Sequence, residues 1–202
     1  MNRAALLPIL AISLTLASGL GATGAGANED DDFQTRLFGR GLTKQKLHAC
    51  FKRVYDAPHL AAHPKQNVRT MSLLVTGDPG SGSPTYAIAI AVTFRKSGQH
   101  FDSYGDCGSI HDLAGNGPAN TAHCGVECDG GSIDVAIKDK GSLLVSIPEG
   151  ARLWRPGGDD DTGNARGRFG EDDKLFRLDK TKLTDCLSLA SDEDKPALRK
   201  GQ

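Results

Sequence analysis

Hydrophobic positions along this chain follow two different periods. From about residue 67 onward they recur at every second residue, the repeat of a strand with one face on a core. Met71, Leu73 and Val75 alternate, and the run from Gly77 to Pro84 (GDPGSGSP) is a dense turn. Tyr86, Ile88, Ile90, Val92 and Phe94 make the clearest strand, with Ala87, Ala89, Ala91 and Thr93 on its other face. Large residues on one side and small ones on the other predict a central strand covered on both faces. Lys96 to Gln99 turns the chain into a strand over 100–106. Ile133, Val135 and Ile137, then Leu143, Val145 and Ile147, flank Asp139-Lys140-Gly141 and predict a β-hairpin. Shorter strands are expected around Cys124–Cys128, Leu153–Trp154 and Phe176–Leu178, with polar loops over 108–121 and 156–173.

Helical spacing occurs near each end. Leu47, Cys50, Phe51 and Val54 stand at i, i+3, i+4 and i+7, with Lys44, Lys46, Lys52 and Arg53 at other positions. This predicts an amphipathic helix over 43–55, capped by Thr43 and ended by Pro58. Leu183, Cys186, Leu187 and Ala190 predict a short closing helix. Strands outnumber helices and follow one another through turns. The predicted fold is therefore mainly β (α+β): an antiparallel sandwich or partly open barrel, with a helix near each end packed on the sheet. The single domain is expected over 43–190. A solvated, flexible leader over 28–42 precedes it, with Phe33, Leu37 and Phe38 available to dock, and a charged tail over 191–202 follows.

The first residues carry an address. Arg3 is followed by an apolar run from Ala4 to Leu16, broken only by Pro8 and Ser13, and small residues lead to Ala25-Gly26-Ala27. That is the layout of a secretory signal cleaved after Ala27, and it predicts a periplasmic or secreted protein. The apolar run is shorter than the ~20 residues that span a bilayer, and no later stretch is long enough. The whole chain has 202 residues, 38% of them hydrophobic, and a formal net charge of −1. Charge so near zero gives no overall field to favour nucleic acid or an anionic membrane, and the hydrophobic content excludes wholesale disorder.

Export directs the reading of the five cysteines toward disulfides. Cys124 and Cys128 lie four residues apart, about 13 Å along a strand at ~3.3 Å per residue, too far to join. Cys107 ends one strand, and the chain returning antiparallel brings Cys124 nearer to it than Cys128. Cys50 and Cys186 lie on the apolar faces of the two end helices. The expected pairs are Cys50–Cys186 and Cys107–Cys124, with Cys128 the odd thiol.

Other chemistry is thinly signalled. His123, Cys124 and Cys128, with Cys107 or His111, approach a zinc set but lack a second paired ligand motif. The loop Asp159 to Asn164 is acidic but departs from calcium-loop spacing. His100 near Asp102, or His111 beside Asp112, supplies a base and an acid for a small hydrolase, yet no nucleophile motif accompanies them. Trp154, flanked by Arg152 and Arg155, is a candidate ligand platform, since both residue types stack on planar or sugar groups. His59 and His63 are expected to hold their loop by hydrogen bonds. No metal or cofactor is called for.

Two segments, Tyr55 to Val68 (YDAPHLAAHPKQNV) and Cys124 to Val135 (CGVECDGGSIDV), resemble stretches of small exported proteins of Gram-negative bacteria with no assigned function. The resemblance extends over residues 45–186 and implies export and a shared β-rich fold. It also implies a cysteine in the loop after Trp154. Here that loop reads Arg155-Pro156-Gly157-Gly158, so one cysteine has lost its partner. The expected function is a disulfide-braced, non-catalytic binding or structural module for an unknown protein or small molecule. The alternatives are a small periplasmic hydrolase or metalloprotein, and a proteinaceous inhibitor of an exported enzyme.

Overall fold

The computed structural model describes residues 33–96, 98–108, 120–127, 129–156 and 169–201. Eight antiparallel strands close into a barrel in simple sequence order, so the sheet is neither a sandwich nor partly open. The strands are β1 (Leu47–Val54), β2 (Val68–Asp78), β3 (Thr85–Phe94), β4 (His100–Cys107), β5 (Thr121–Val126), β6 (Ser132–Asp139), β7 (Ser142–Ser146) and β8 (Leu175–Thr181). The strands read from period-2 alternation stand where that pattern put them.

The segment 43–55 does not. It holds β1, and the expected amphipathic helix is absent. Ala49 and Phe51 point into the barrel, while Cys50 points outward into a second apolar cluster. Both faces of this strand are covered, so its apolar residues need not alternate, and in a short segment that mimics helical spacing. Pro58 then starts a helix instead of ending one. Helix α2 (Ala57–Ala62) carries it in its first turn, where a missing N–H costs nothing, and Asp56 caps the helix by accepting from the His59 N–H at 2.8 Å.

Side chains fill the interior. Leu73, Ile90, Phe101, Ile133, Val145 and Leu178, each from a different strand, are all buried in one cluster. Residues 33–38, helix α1, stop one end of the barrel, so the leader is part of the core here. Phe33 meets Tyr86 edge-on at 5.5 Å, and Gln34 donates to the Tyr86 hydroxyl at 3.1 Å. Gly77 on β2 makes room for this stopper, because a Cβ there would come within 2.9 Å of Phe38. At the other end Asp173, fully buried, accepts backbone N–H bonds from Asn67 at 2.8 Å, Gly170 at 2.7 Å and Val68 at 3.2 Å. One carboxylate thereby ties the 63–68 turn to the approach to β8.

The C-terminal segment packs on the outside. A 3-10 helix (Leu183–Leu189) and helix α3 (Lys195–Lys200) lie over Leu74, Ala89 and Ala91. Leu198 is fully buried there, so the expected charged tail is a cover. The small face of β3 is indeed overlaid, by this segment. Cys50 is joined to Cys186 on this outer side, and Cys107 to Cys124 inside the barrel, the pairs expected from the sequence. Cys128, the signal region, and the loops with His111, Asp112 and Asp159 to Asn164 lie outside the described residues.

Three substitutions probe this packing in denaturant melts. Ile90→Ala should cost about 2–5 kcal/mol by opening a cavity. Ala89→Leu should cost about 1–3 kcal/mol by lifting the C-terminal cover, and a neutral result would place that face in solvent. Asp173→Ala should cost about 3–5 kcal/mol, since it leaves three backbone donors without their acceptor.

Candidate functional site

With the interior filled, the surface chemistry sits on the outer wall. Strand alternation puts His100, Asp102, Tyr104 and Asp106 of β4 outward, and Phe101, Ser103, Gly105 and Cys107 inward. Next to them the register of β3 sets Ala91 beside Asp102, Ala89 beside Tyr104 and Ala87 beside Asp106. These alanines form a low floor. The C-terminal segment covers part of it and stops short of Tyr104. A groove of about 350 Å³ remains, floored by Ala87 and Ala89 and walled by Leu189 and Ala190 on one side and Tyr104, Asp106 and Glu127 on the other. It runs into a second depression of about 480 Å³ beside Lys46, Asp78 and Asp194.

Beyond Tyr104 lies an aromatic and charged cluster. Asp102 and Trp154 exchange both backbone hydrogen bonds at 2.8 Å, an isolated bridge where a short strand was expected, which brings the Trp154 segment to the free half of β4. Their side chains therefore share the outer face. The Tyr104 and Trp154 rings stand 6.3 Å apart, and the Arg152 guanidinium lies 5.5 Å from the Trp154 ring centre. Of the three residues read as a candidate ligand platform, Arg152 and Trp154 thus lie together, and Arg155 is exposed next in sequence. Tyr104 adds a second ring that sequence reading passed over. The available signal was a lone aromatic on the polar face of β4.

Asp102 is only 4% exposed. His100 Nε2 approaches one of its oxygens at 2.7 Å, off hydrogen-bond geometry, and the Tyr104 hydroxyl donates weakly to the other at 3.4 Å. Burial pushes the Asp102 carboxyl above its usual range, against the opposing pull of His100 and Tyr104. Burial, reinforced by Asp102, likewise raises the Tyr104 hydroxyl. His100 and Asp102 do meet as the sequence suggested. The neighbouring hydroxyl, Ser103, faces the barrel interior and is fully buried, on the wrong side of the wall to be activated by them.

The zinc set does not assemble, because Cys107 and Cys124 spend their sulfurs on each other. His123 faces Asp134 across β5 and β6 and pairs with it. His59 and His63 do hold their turn: His59 Nε2 lies 3.0 Å from Gln66 Oε1, and the His63 ring bonds the His59 carbonyl at 2.9 Å. Among the described residues no cluster of three or more His, Cys, Asp or Glu side chains could hold a metal, and no helix is long and apolar enough to cross a membrane. No protein-family model, curated protein or solved structure matches the chain.

Under the C-terminal cover, His48 is buried on β1, with Nδ1 3.2 Å from the Thr76 hydroxyl and Nε2 3.8 Å from Asp194. Burial lowers its affinity for a proton below the ordinary value of 6.5, against the attraction of Asp194. The unfolded chain then binds a proton first as pH falls. Stability should therefore decline from about pH 6.5 downward, until the folded His48 is also protonated. Urea melts between pH 7.5 and 5 should show that slope, and His48→Gln should flatten it. An unchanged slope in the variant would assign the effect to other groups.

Proposed function

We propose that this chain is an exported, non-catalytic binding module whose recognition surface is the outer face of β4 with its adjoining groove. The observation that carries this reading is Tyr104. It is 44% exposed, next to the partly buried Trp154, and forms one wall of an open groove on a barrel whose inside is packed. Amphipathic rings at the edge of a concave site are the residue type that anchors protein and ligand contacts at little entropic cost.

Further support comes from how the molecule is braced. Two disulfides suit an oxidising compartment, in keeping with the signal-like start and the resemblance to small exported proteins. A hydrolase at His100 and Asp102 lacks a hydroxyl on their side of the wall at the adjacent position. Inhibition of an exported enzyme is one way such a module would act, with Tyr104 entering the partner's cleft.

The test compares two baits in cell-envelope extract. Full-length mature protein should enrich a defined partner, and Tyr104→Ala with an unchanged melting temperature should lose most of that enrichment. Equal enrichment by both baits would remove β4 from the recognition surface. Turnover of chromogenic ester, glycoside or peptide substrates that disappears in His100→Ala would overturn the non-catalytic reading.

A further inference from the structure

The groove beside Tyr104 has its own chemistry. Asp106 projects from β4, and Glu127 follows directly on β5, so two carboxylates share one wall. Both are exposed, and neither has a hydrogen-bond or ion-pair partner among the described residues. Asp194, on the other side, differs: the Lys46 ammonium lies 3.8 Å from it and the Ser191 hydroxyl donates to it at 2.8 Å. The free negative charge of the groove is thus concentrated at the Asp106 and Glu127 end. The register sets Gly125 opposite Asp106, and a Cβ on Gly125 would meet nothing within 4 Å. Space therefore stands open beside the carboxylates. The floor of Ala87 and Ala89 is apolar and low, and the Tyr104 ring closes one side.

A guest that matches all of these features has an aliphatic stem, a positive end and a flat face. Lysine supplies the first two, and arginine supplies all three, since its guanidinium stacks on aromatic rings and forks onto carboxylates. Resting on the binding-module reading, we infer that this groove docks an arginine side chain presented by a protein partner. The stem lies over Ala87 and Ala89, the guanidinium lies against Tyr104, and its N–H groups donate to Asp106 and Glu127. The partner is a protein with a basic, protruding segment, and the attraction is local, because the chain as a whole has a net charge of only −1.

The probe is the blocked tripeptide acetyl-Gly-Arg-Gly-amide, with lysine and citrulline counterparts, titrated into isotope-labelled mature protein at low salt. Saturable amide shifts should map to Tyr104, Asp106 and Gly125. The neutral citrulline peptide should bind roughly tenfold more weakly, as should the arginine peptide to Asp106→Asn/Glu127→Gln. Gly125→Leu fills the open space without a backbone clash and should abolish binding while leaving the melting temperature near that of the parent. Citrulline binding as well as arginine, shifts that map elsewhere, or a Gly125→Leu variant that still binds would each overturn the proposal. Lysine binding as tightly as arginine would overturn the assignment of arginine. Its failure is separable from that of the binding module. A partner captured in a Tyr104-dependent way by Asp106→Asn/Glu127→Gln leaves the module standing and removes the cation. Peptide binding at the groove without any Tyr104-dependent partner does the reverse.

Discussion

Closing the barrel is the constraint on which everything else rests, and its two weakest joints are each cross-linked. Most neighbouring strands pair over five to ten residues, but β1 meets β8 over three residue pairs and β4 meets β5 over three. Three pairs supply few ladder hydrogen bonds, and an open seam exposes two edges to water or to another chain. Cys107 and Cys124 are register partners inside the second seam. Cys50 stands in the first, facing Thr181, and its partner Cys186 follows β8 by a few residues. The Arg53–Asp179 ion pair at 2.6 Å sits on the same seam. In the chain-entropy model, cross-linking residues 136 apart restrains the unfolded chain by roughly 5 kcal/mol, so the longer link acts on the whole fold as well as on the joint.

The same bridge decides where the site can be. It pulls the C-terminal segment onto the outer side of β1, β2 and β3, where Leu74, Ala89 and Ala91 accept it. The segment is short, and past Ala190 it turns toward Asp194 and α3 instead of continuing over β4. Small residues on β3 were required so that the cover could approach the sheet. Where the cover stops, those same residues leave a hollow beside Tyr104. The groove is therefore a by-product of how the barrel is clad, and its floor is the strand β3 itself.

Much of the architecture was legible because large side chains confined to one face write a clean alternation. Strand β3 and the β6–β7 hairpin each bury one row of large side chains, and alternation located them. Residues 43–55 failed for the opposite physical reason: Phe51 is buried inside and Cys50 outside, and sizeable apolar side chains on both faces erase the period that separates strand from helix. The stopper and the C-terminal cover were misread through their charges. Leu198 is fully buried among charged neighbours that face water, and Phe33 and Leu37 follow the acidic run Glu29-Asp30-Asp31-Asp32 that gave the leader its solvated look. Ring closure was also beyond periodicity, since it depends on which edges meet.

The site was legible only in pieces. Arg152, Trp154, His100 and Asp102 attract notice by type, and the fold does place them on one patch. Tyr104, Asp106, Gly125 and Glu127 attract none, because each is ordinary alone and their meaning lies in register. Asp106 matters because Gly125 sits opposite and leaves space, and Glu127 because the turn after β5 brings it beside Tyr104. Net charge conceals the same fact. A balance of 24 basic against 25 acidic residues predicts no field, yet Lys46 and Arg53 are engaged by Asp194 and Asp179 while Asp106 and Glu127 are not. Two carboxylates stand together on one wall with no cation paired to them among the described residues, and that local imbalance gives this groove its sign.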